Sequence, residues 1–200
     1  MYKENEILLK ARDMFLKYGI RSITMDDLAR ELGISKKTLY QNFKDKADLI
    51  SKMVIAEINR VMNDMQNIFE EKDNTIDRMI KINNHLIKIR KNTPENISYD
   101  LHKYYPEIEK NLNKITEEKM FLNIKENHKQ GQAEGLIRKN LNLDIIAALQ
   151  VTRSSVVYNI KNIAKAENIE IIINEIFDYH IRAISTDKGL DYYFKNYKNK

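Results

Sequence analysis

"GISKKTLYQNFKDK", Gly33 to Lys46, sets four lysines and one aspartate around an apolar skeleton of Ile34, Leu39 and Phe43. On a helix that begins at Lys36, Leu39 and Phe43 fall about one turn apart and point the same way, inward. Lys36, Lys37, Thr38, Tyr40 and Gln41 are left at or near the outer surface. Ser35 is placed to cap this helix, and Gly33 stands where a preceding helix exits through a left-handed residue. Asp45 is placed to cap a further helix opening in "DKADLI". Lys46 and the free backbone N–H groups at that helix start make a phosphate anchor.

Upstream, "TMDDLARELG" reads as a short helix with Thr24 as N-cap and Asp26 and Asp27 in its first turn. Leu28, Ala29 and Leu32 form its apolar face. Before it, Ile7, Leu8, Ala11, Met14, Phe15 and Tyr18 recur at steps of three and four and stop at Gly19. Two short helices joined by a tight glycine turn are the helix-turn-helix arrangement, whose second helix enters the major groove of double-stranded DNA. Lysine and glutamine read base edges, threonine touches the thymine methyl, and tyrosine and lysine hold phosphates. Charge runs are ordinarily solvated surface. Here glycine turn, caps, apolar spacing and outward cations agree within one segment, and the surface is expected to be a DNA-reading one.

From Phe15 to Ile50 the chain resembles the DNA-binding region of TetR-family transcriptional regulators. The resemblance is carried by Phe15 and Gly19, by "TMDDLARELGIS", and by "KKTLYQNFKDKADLI" with its Thr-Leu-Tyr-x-x-Phe core and following lysine. It implies that Lys36, Lys37, Thr38 and Tyr40 face DNA and that Lys46 sits on a phosphate. Asn42 stands where the family commonly has histidine, and Met25 where it often has threonine or serine. The motif spans about the first quarter of the chain. The expected division is a helix-turn-helix domain over residues 1–46 and a helical effector-binding and dimerisation domain over 47–200.

The rest of the 200 residues is punctuated sparsely, with five glycines and two prolines in the whole chain, and strand signals are nearly absent. An all-α fold is expected. "ADLISKMVIAEINRVMNDMQNIF", Ala47 to Phe69, carries a broad apolar face, and "TIDRMIKINNHLIKIRK" is apolar on several sides before Pro94 breaks it. A short segment from Ile97 to Tyr105 precedes Pro106, which suits the first turn of a long helix reaching about Gln130. Gly131 and Gly135 bracket "GQAEG", read as a helix stop and turn; spacing here again resembles family members. "LDIIAALQVTRSSVVYNI" and "NIEIIINEIFDYHIRAI" are apolar over more than one stripe. In the resembled family this pair forms a four-helix bundle with its twofold mate, which implies a homodimer near residues 143–162 and 167–186. The tail from Thr186 either packs on the body or frays, and fraying is expected at its end.

Composition closes off other classes. There is no cysteine, so disulfides, thiolate metal sites and cysteine nucleophiles are excluded. The four histidines, His85, His102, His128 and His180, are scattered, without H-E-x-x-H spacing, and no glycine-rich phosphate loop or G-x-S-x-G elbow is present. No metal, no cofactor and no catalysis are expected. A net charge of +5 would not by itself indicate nucleic acid. The absence of a signal-peptide pattern and of a membrane-length apolar run leads to a cytoplasmic, non-membrane expectation.

Helices from about Thr75 to Tyr158 are expected to surround an apolar cavity with a few polar groups. Its candidate liners are His85, His102, Tyr105, Phe121, His128 and Arg153. Arg153 must find an anionic partner, either a ligand or a carboxylate of the chain. The function that follows is a dimeric repressor released from operator DNA by a small-molecule effector. The rival reading is a helical DNA-binding or interaction protein without an effector.

Overall fold

Residues 4–152 and 168–198 are described by the computed structural model. They form helices α1 (Glu4–Tyr18), α2 (Met25–Glu31), α3 (Lys36–Asn42), α4 (Lys46–Glu70), α5 (Thr75–Asn92), α6 (Glu95–Tyr104) and α7 (Pro106–Ala133). They continue with a helix over residues 143–152, here α8, then α9 (Ile169–Ile184) and α10 (Asp187–Tyr193), and a π-helical turn over Phe194–Lys198. Among the described residues the one β feature is an isolated bridge between Ile137 and Ser185, so the fold is all-α as expected. The chain divides into two compact units, residues 1–63 with 90–116 and residues 64–89 with 117–200.

The first unit is organised around the apolar stripe of α1. Ile7, Leu8, Ala11, Met14 and Phe15 meet Leu28 and Ala29 of α2, Leu39 of α3, Phe43, and Leu49, Ile50 and Met53 of α4 in one cluster. Ile97 of α6 completes it, with Leu101, Tyr105 and Ile108 packed against its edge. Asp100 accepts a hydrogen bond from the Arg21 backbone N–H at 3.0 Å, and Tyr104 Oη accepts one from the Arg21 guanidinium at 2.9 Å. Burying this apolar surface is the dominant favourable term, and it orients α2 and α3 by packing them on a common floor.

The second unit has a core of Ile76, Met79, Ile80, Leu136, Ile137, Phe177, Ile181, Ile184 and Tyr193, and a smaller cluster of Ile124, Ala147 and Val151. Gly131 does not stop a helix: α7 runs through it to Ala133. A Cβ there would lie 2.8 Å from Thr75 Cγ2 and closer still to Ile137, so the residue is glycine because two elements cross at its Cα. Inside the same unit Arg78 is buried, 3.3 Å from Glu134, whose carboxylate also accepts from the Thr75 N–H at 2.8 Å.

Of the two readings of the tail, the structure shows packing through Lys198, and residues 199–200, where fraying was expected, lie outside the described residues. Thr186 caps α10, accepting from Gly189 N at 3.2 Å while donating to Gly135 O at 2.8 Å. Tyr192 and Tyr197 both donate to the Asp77 carboxylate, at 2.8 and 2.6 Å, and Tyr193 donates to Asp178 at 3.1 Å. Burial, with Asp178 beside it, pushes the Tyr193 phenol up to about 12, so it stays a donor.

Candidate functional site

The turn between α2 and α3 is set by backbone hydrogen bonds that only a left-handed residue allows. Gly33 has φ +65°, its N–H donates to Arg30 O at 3.1 Å, and the Ile34 N–H reaches back to Ala29 O at 3.0 Å. This pair is the Schellman ending, and Ile34 adds the apolar contact that accompanies it. α2 itself starts on a capping box: Thr24 Oγ1 accepts from Asp27 N at 3.1 Å and Asp27 Oδ2 accepts from Thr24 N at 3.0 Å. Ser35 Oγ caps α3 by accepting from Thr38 N at 3.1 Å. Asp45 caps α4, accepting from Asp48 N at 2.8 Å, while Asp48 accepts from Lys44 N at 3.0 Å.

With Leu39 and Phe43 buried, α3 turns its other face outward. Lys36, Lys37, Tyr40 and Gln41 are exposed and Thr38 is half-buried. Lys36 forms an ion pair with Asp26, and the Thr38 hydroxyl lies 2.8 Å from Ser35 Oγ. Lys37, Tyr40 and Gln41 have no side-chain partner among the described residues. Thr24 is exposed with its hydroxyl engaged in the capping box.

Lys46 is placed differently from the surface anchor that its sequence position suggests. It is half-buried, its ammonium donates to Ile20 O at 2.6 Å and lies 3.5 Å from Arg21 O, and it stands 5.9 Å from the Phe15 ring centroid. Burial lowers its pKa, against the pull of Asp100 and Asp27. Lys44, which sequence reasoning passed over, is the exposed cation of this stretch. It was missed because a lysine flanked by a buried phenylalanine and a capping aspartate carries no pattern of its own.

The second unit holds a cavity of about 40 Å³ between α4, α5, α7 and α8. Met65, Phe69, Met79, Ile82, Leu86, Met120 and Ile124 form its apolar walls, and Asn83, Asn123, Asn127, His128 and Gln150 bring polar atoms to it. Of the expected liners, His128 is there. Phe121 instead lines a separate surface groove with Leu122, Ala148 and Val151. His85 lies 3.4 Å from Asp64, off the cavity wall. His102 is exposed and 2.9 Å from Glu109, and Tyr105 packs on the core of the first unit, so neither lines the cavity. Arg153 falls outside the described residues. The amides were missed because asparagine and glutamine on a helix look like surface until the packing around them is known.

A third feature is apolar and open. Ile145 and Leu149 of α8 are 58% and 61% exposed, and Ile171 and Tyr179 of α9 are 58% and 76% exposed. Leu149, Ile171 and Tyr179 border a groove between these two helices that also takes in Ile146, Ile176 and Ala183. Val156, Val157 and Ile160 of the apolar stretch "LDIIAALQVTRSSVVYNI" lie outside the described residues.

Residues 7–53 match the family model of bacterial regulatory proteins, tetR family. An HTH-type transcriptional regulator of Staphylococcus aureus (strain bovine RF122 / ET3-1) is 34% identical over 61 residues, 30% of this chain and 33% of that protein. Another, from strain USA300, is 31% identical over 88 residues, 40% of this chain and 48% of that protein. The chain thus spans a third to about half the length of the curated relatives it matches. A transcriptional regulator from Cytophaga hutchinsonii shares the fold with TM-score 0.78 at 18% identity, over 91% of this chain and 98% of that one. A transcriptional regulator from Saccharomonospora viridis, solved in complex with choline, superposes with TM-score 0.70 at 16% identity over 92% and 97%. No helix among the described residues is long and apolar enough to cross a membrane.

Proposed function

Because this chain belongs to the tetR family of bacterial regulatory proteins, we propose that it is a sequence-specific DNA-binding repressor released from its operator by a small-molecule effector. The observation that carries the reading is the outward face of α3. Lys37, Tyr40 and Gln41 stand exposed and unpartnered on a helix capped at Ser35 and seated by Leu39 and Phe43. Lys37 and Gln41 read base edges, and Tyr40 holds a phosphate. Lys36 and Thr38 join them when Asp26 and Ser35 give way to DNA, and Lys44 adds a phosphate contact. Thr24 and Lys46 act indirectly, the first by capping α2 and the second by tying the α1–α2 connection to the start of α4.

DNA reading is assigned to residues 1–46, and effector binding and dimerisation to 47–200. A twofold homodimer presents two reading helices to half-sites about one helical turn apart, roughly 34–36 Å. The exposed apolar residues of α8 and α9 support the second copy's place there, since a monomer rarely leaves such a patch in water. The cavity beside His128 supports an effector site. An effector shifts the dimer between DNA-competent and DNA-incompetent states only through different affinity for the two.

The test is a selection of duplexes from a random pool followed by mobility-shift titration. Wild type is expected to enrich one palindromic sequence, which Lys37→Ala and Tyr40→Ala no longer distinguish from random DNA. Uniform, salt-sensitive binding to any duplex would instead support a helical DNA-binding protein without an effector.

A further inference from the structure

The cavity of the second unit is built from uncharged groups. No Asp, Glu, Lys or Arg stands among the described residues that line it. His128 is 1% exposed, and neither of its ring nitrogens has a hydrogen-bond partner among the described residues. Asn127, 6% exposed, leaves Oδ1 without a partner there, and Gln150 leaves Oε1 without one. Folded proteins pair nearly all their buried polar atoms. Three such side chains converging on one apolar cavity mark a site that a molecule from outside the chain completes.

We infer that the effector is an uncharged, largely apolar molecule bearing one small group that both donates and accepts a hydrogen bond, held by His128 with Asn127 and Gln150. The inference rests on the reading above that this unit takes an effector. A neutral imidazole offers one N–H donor and one acceptor nitrogen, and the amide oxygens accept. A ligand hydroxyl satisfies both sides, donating to Asn127 Oδ1 or Gln150 Oε1 and accepting from the imidazole N–H. A carboxylate would face those same amide oxygens with no cation beside it among the described residues. An ammonium would lose its water with no anion among the described lining residues to replace it, and burying an unpaired ion is far costlier than burying a hydroxyl. Burial holds the His128 pKa down to about 4, so the ring carries no charge for an anion at neutral pH.

Size gives the site its regulatory character. About 40 Å³ is room for roughly two or three waters, well short of a ligand pocket of about 300 Å³ or more. An organic ligand enters only as the walls repack. Met65, Met79 and Met120 are the unbranched, adaptable side chains that permit it. Binding therefore favours a repacked second unit over the present one, and affinity that differs between states is what an effector requires.

The experiment uses the full-length protein and four probes of nearly one size: toluene, benzyl alcohol, benzoate and benzylammonium. Binding is followed by thermal shift and by the His128 ring signal in NMR, and operator affinity by fluorescence anisotropy. Benzyl alcohol is expected to bind at least about tenfold tighter than each of the others, to move the His128 signal and to weaken operator binding. His128→Leu is expected to abolish the preference for benzyl alcohol over toluene. His128→Gln, which keeps an uncharged donor and acceptor, retains it, and melts without ligand verify that both variants fold. If benzoate or benzylammonium binds tightest and moves the His128 signal, the neutral class is wrong while the effector reading stands. If benzyl alcohol binds as expected but leaves operator affinity unchanged, the chemistry of the site stands and the effector reading falls. If none of the four moves the His128 signal, both fall.

Discussion

At the scale of single residues, burial decides what a side chain does. His128 and His102 are the same residue type on helices consecutive in sequence. His102 is exposed beside Glu109, whereas His128 is buried beside uncharged groups and burial lowers its pKa to about 4. In the unfolded chain the His128 ring titrates near its ordinary 6.5. The unfolded state therefore takes up a proton that the folded state refuses once the pH drops below about 6.5. The stability associated with a neutral His128 is fully present above that pH and is lost progressively toward pH 4. Between about pH 7.5 and pH 5 the loss should be about 2 kcal/mol. Denaturant titrations at the two pH values check this, and His128→Gln should show the shallower dependence.

Lys46 is a second case. Its ammonium serves Ile20 O and Arg21 O, and removing it leaves carbonyls of a half-buried loop unmatched. Lys46→Ala should lower stability by about 1–2 kcal/mol and weaken binding to all duplexes alike. Lys37→Ala should leave the melting temperature unchanged while removing preference for the operator. Calorimetry beside anisotropy separates the two residues.

At the scale of elements, α3 is too short to hold itself together in water, since isolated helices below about 12–15 residues are marginal. Its conformation comes from Ser35 at one end and from burial of Leu39 and Phe43. Phe43→Ala should cost about 3–5 kcal/mol and abolish DNA binding through loss of the helix's seat. α7 shows the opposite constraint, with too little room at the crossing of Gly131 with Thr75 and Ile137. Gly131→Ala should destabilise by about 1–3 kcal/mol even though alanine is the better helix former. Urea titration of both variants measures these directly.

At the scale of the whole molecule, the question is what covers the apolar residues of α8 and α9. Leu149 and Ile171 are exposed in the single chain, so Leu149→Glu and Ile171→Glu should not disturb its core. On the homodimer reading, light scattering should find wild type as a dimer and the double variant as a folded monomer. Operator affinity should fall with it, because one reading helix holds only one half-site. A wild-type monomer with full operator affinity would overturn the dimer.

The sequence alone determined the helix-turn-helix, because everything that specifies it is local. Thr24, Asp27, Gly33, Ser35 and Asp45 act on backbone groups within a few residues of themselves. The apolar steps to Leu39 and Phe43 leave one face for everything else, and the all-α class follows from the same periodicity carried along the chain. Tertiary structure decided the rest, because there the partner of each group is far away in the chain. Asp77 is met by Tyr192 and Tyr197, which hold a tail that composition alone left open between packing and fraying. Gly131 is a crossing point set by Thr75 and Ile137, where local rules read a helix stop. The cavity gathers Met65, Met79, His128 and Gln150 from four helices while Tyr105 and His102 go elsewhere. Helical periodicity says that a residue is buried but not against what, and which buried polar groups lack a partner depends on that alone.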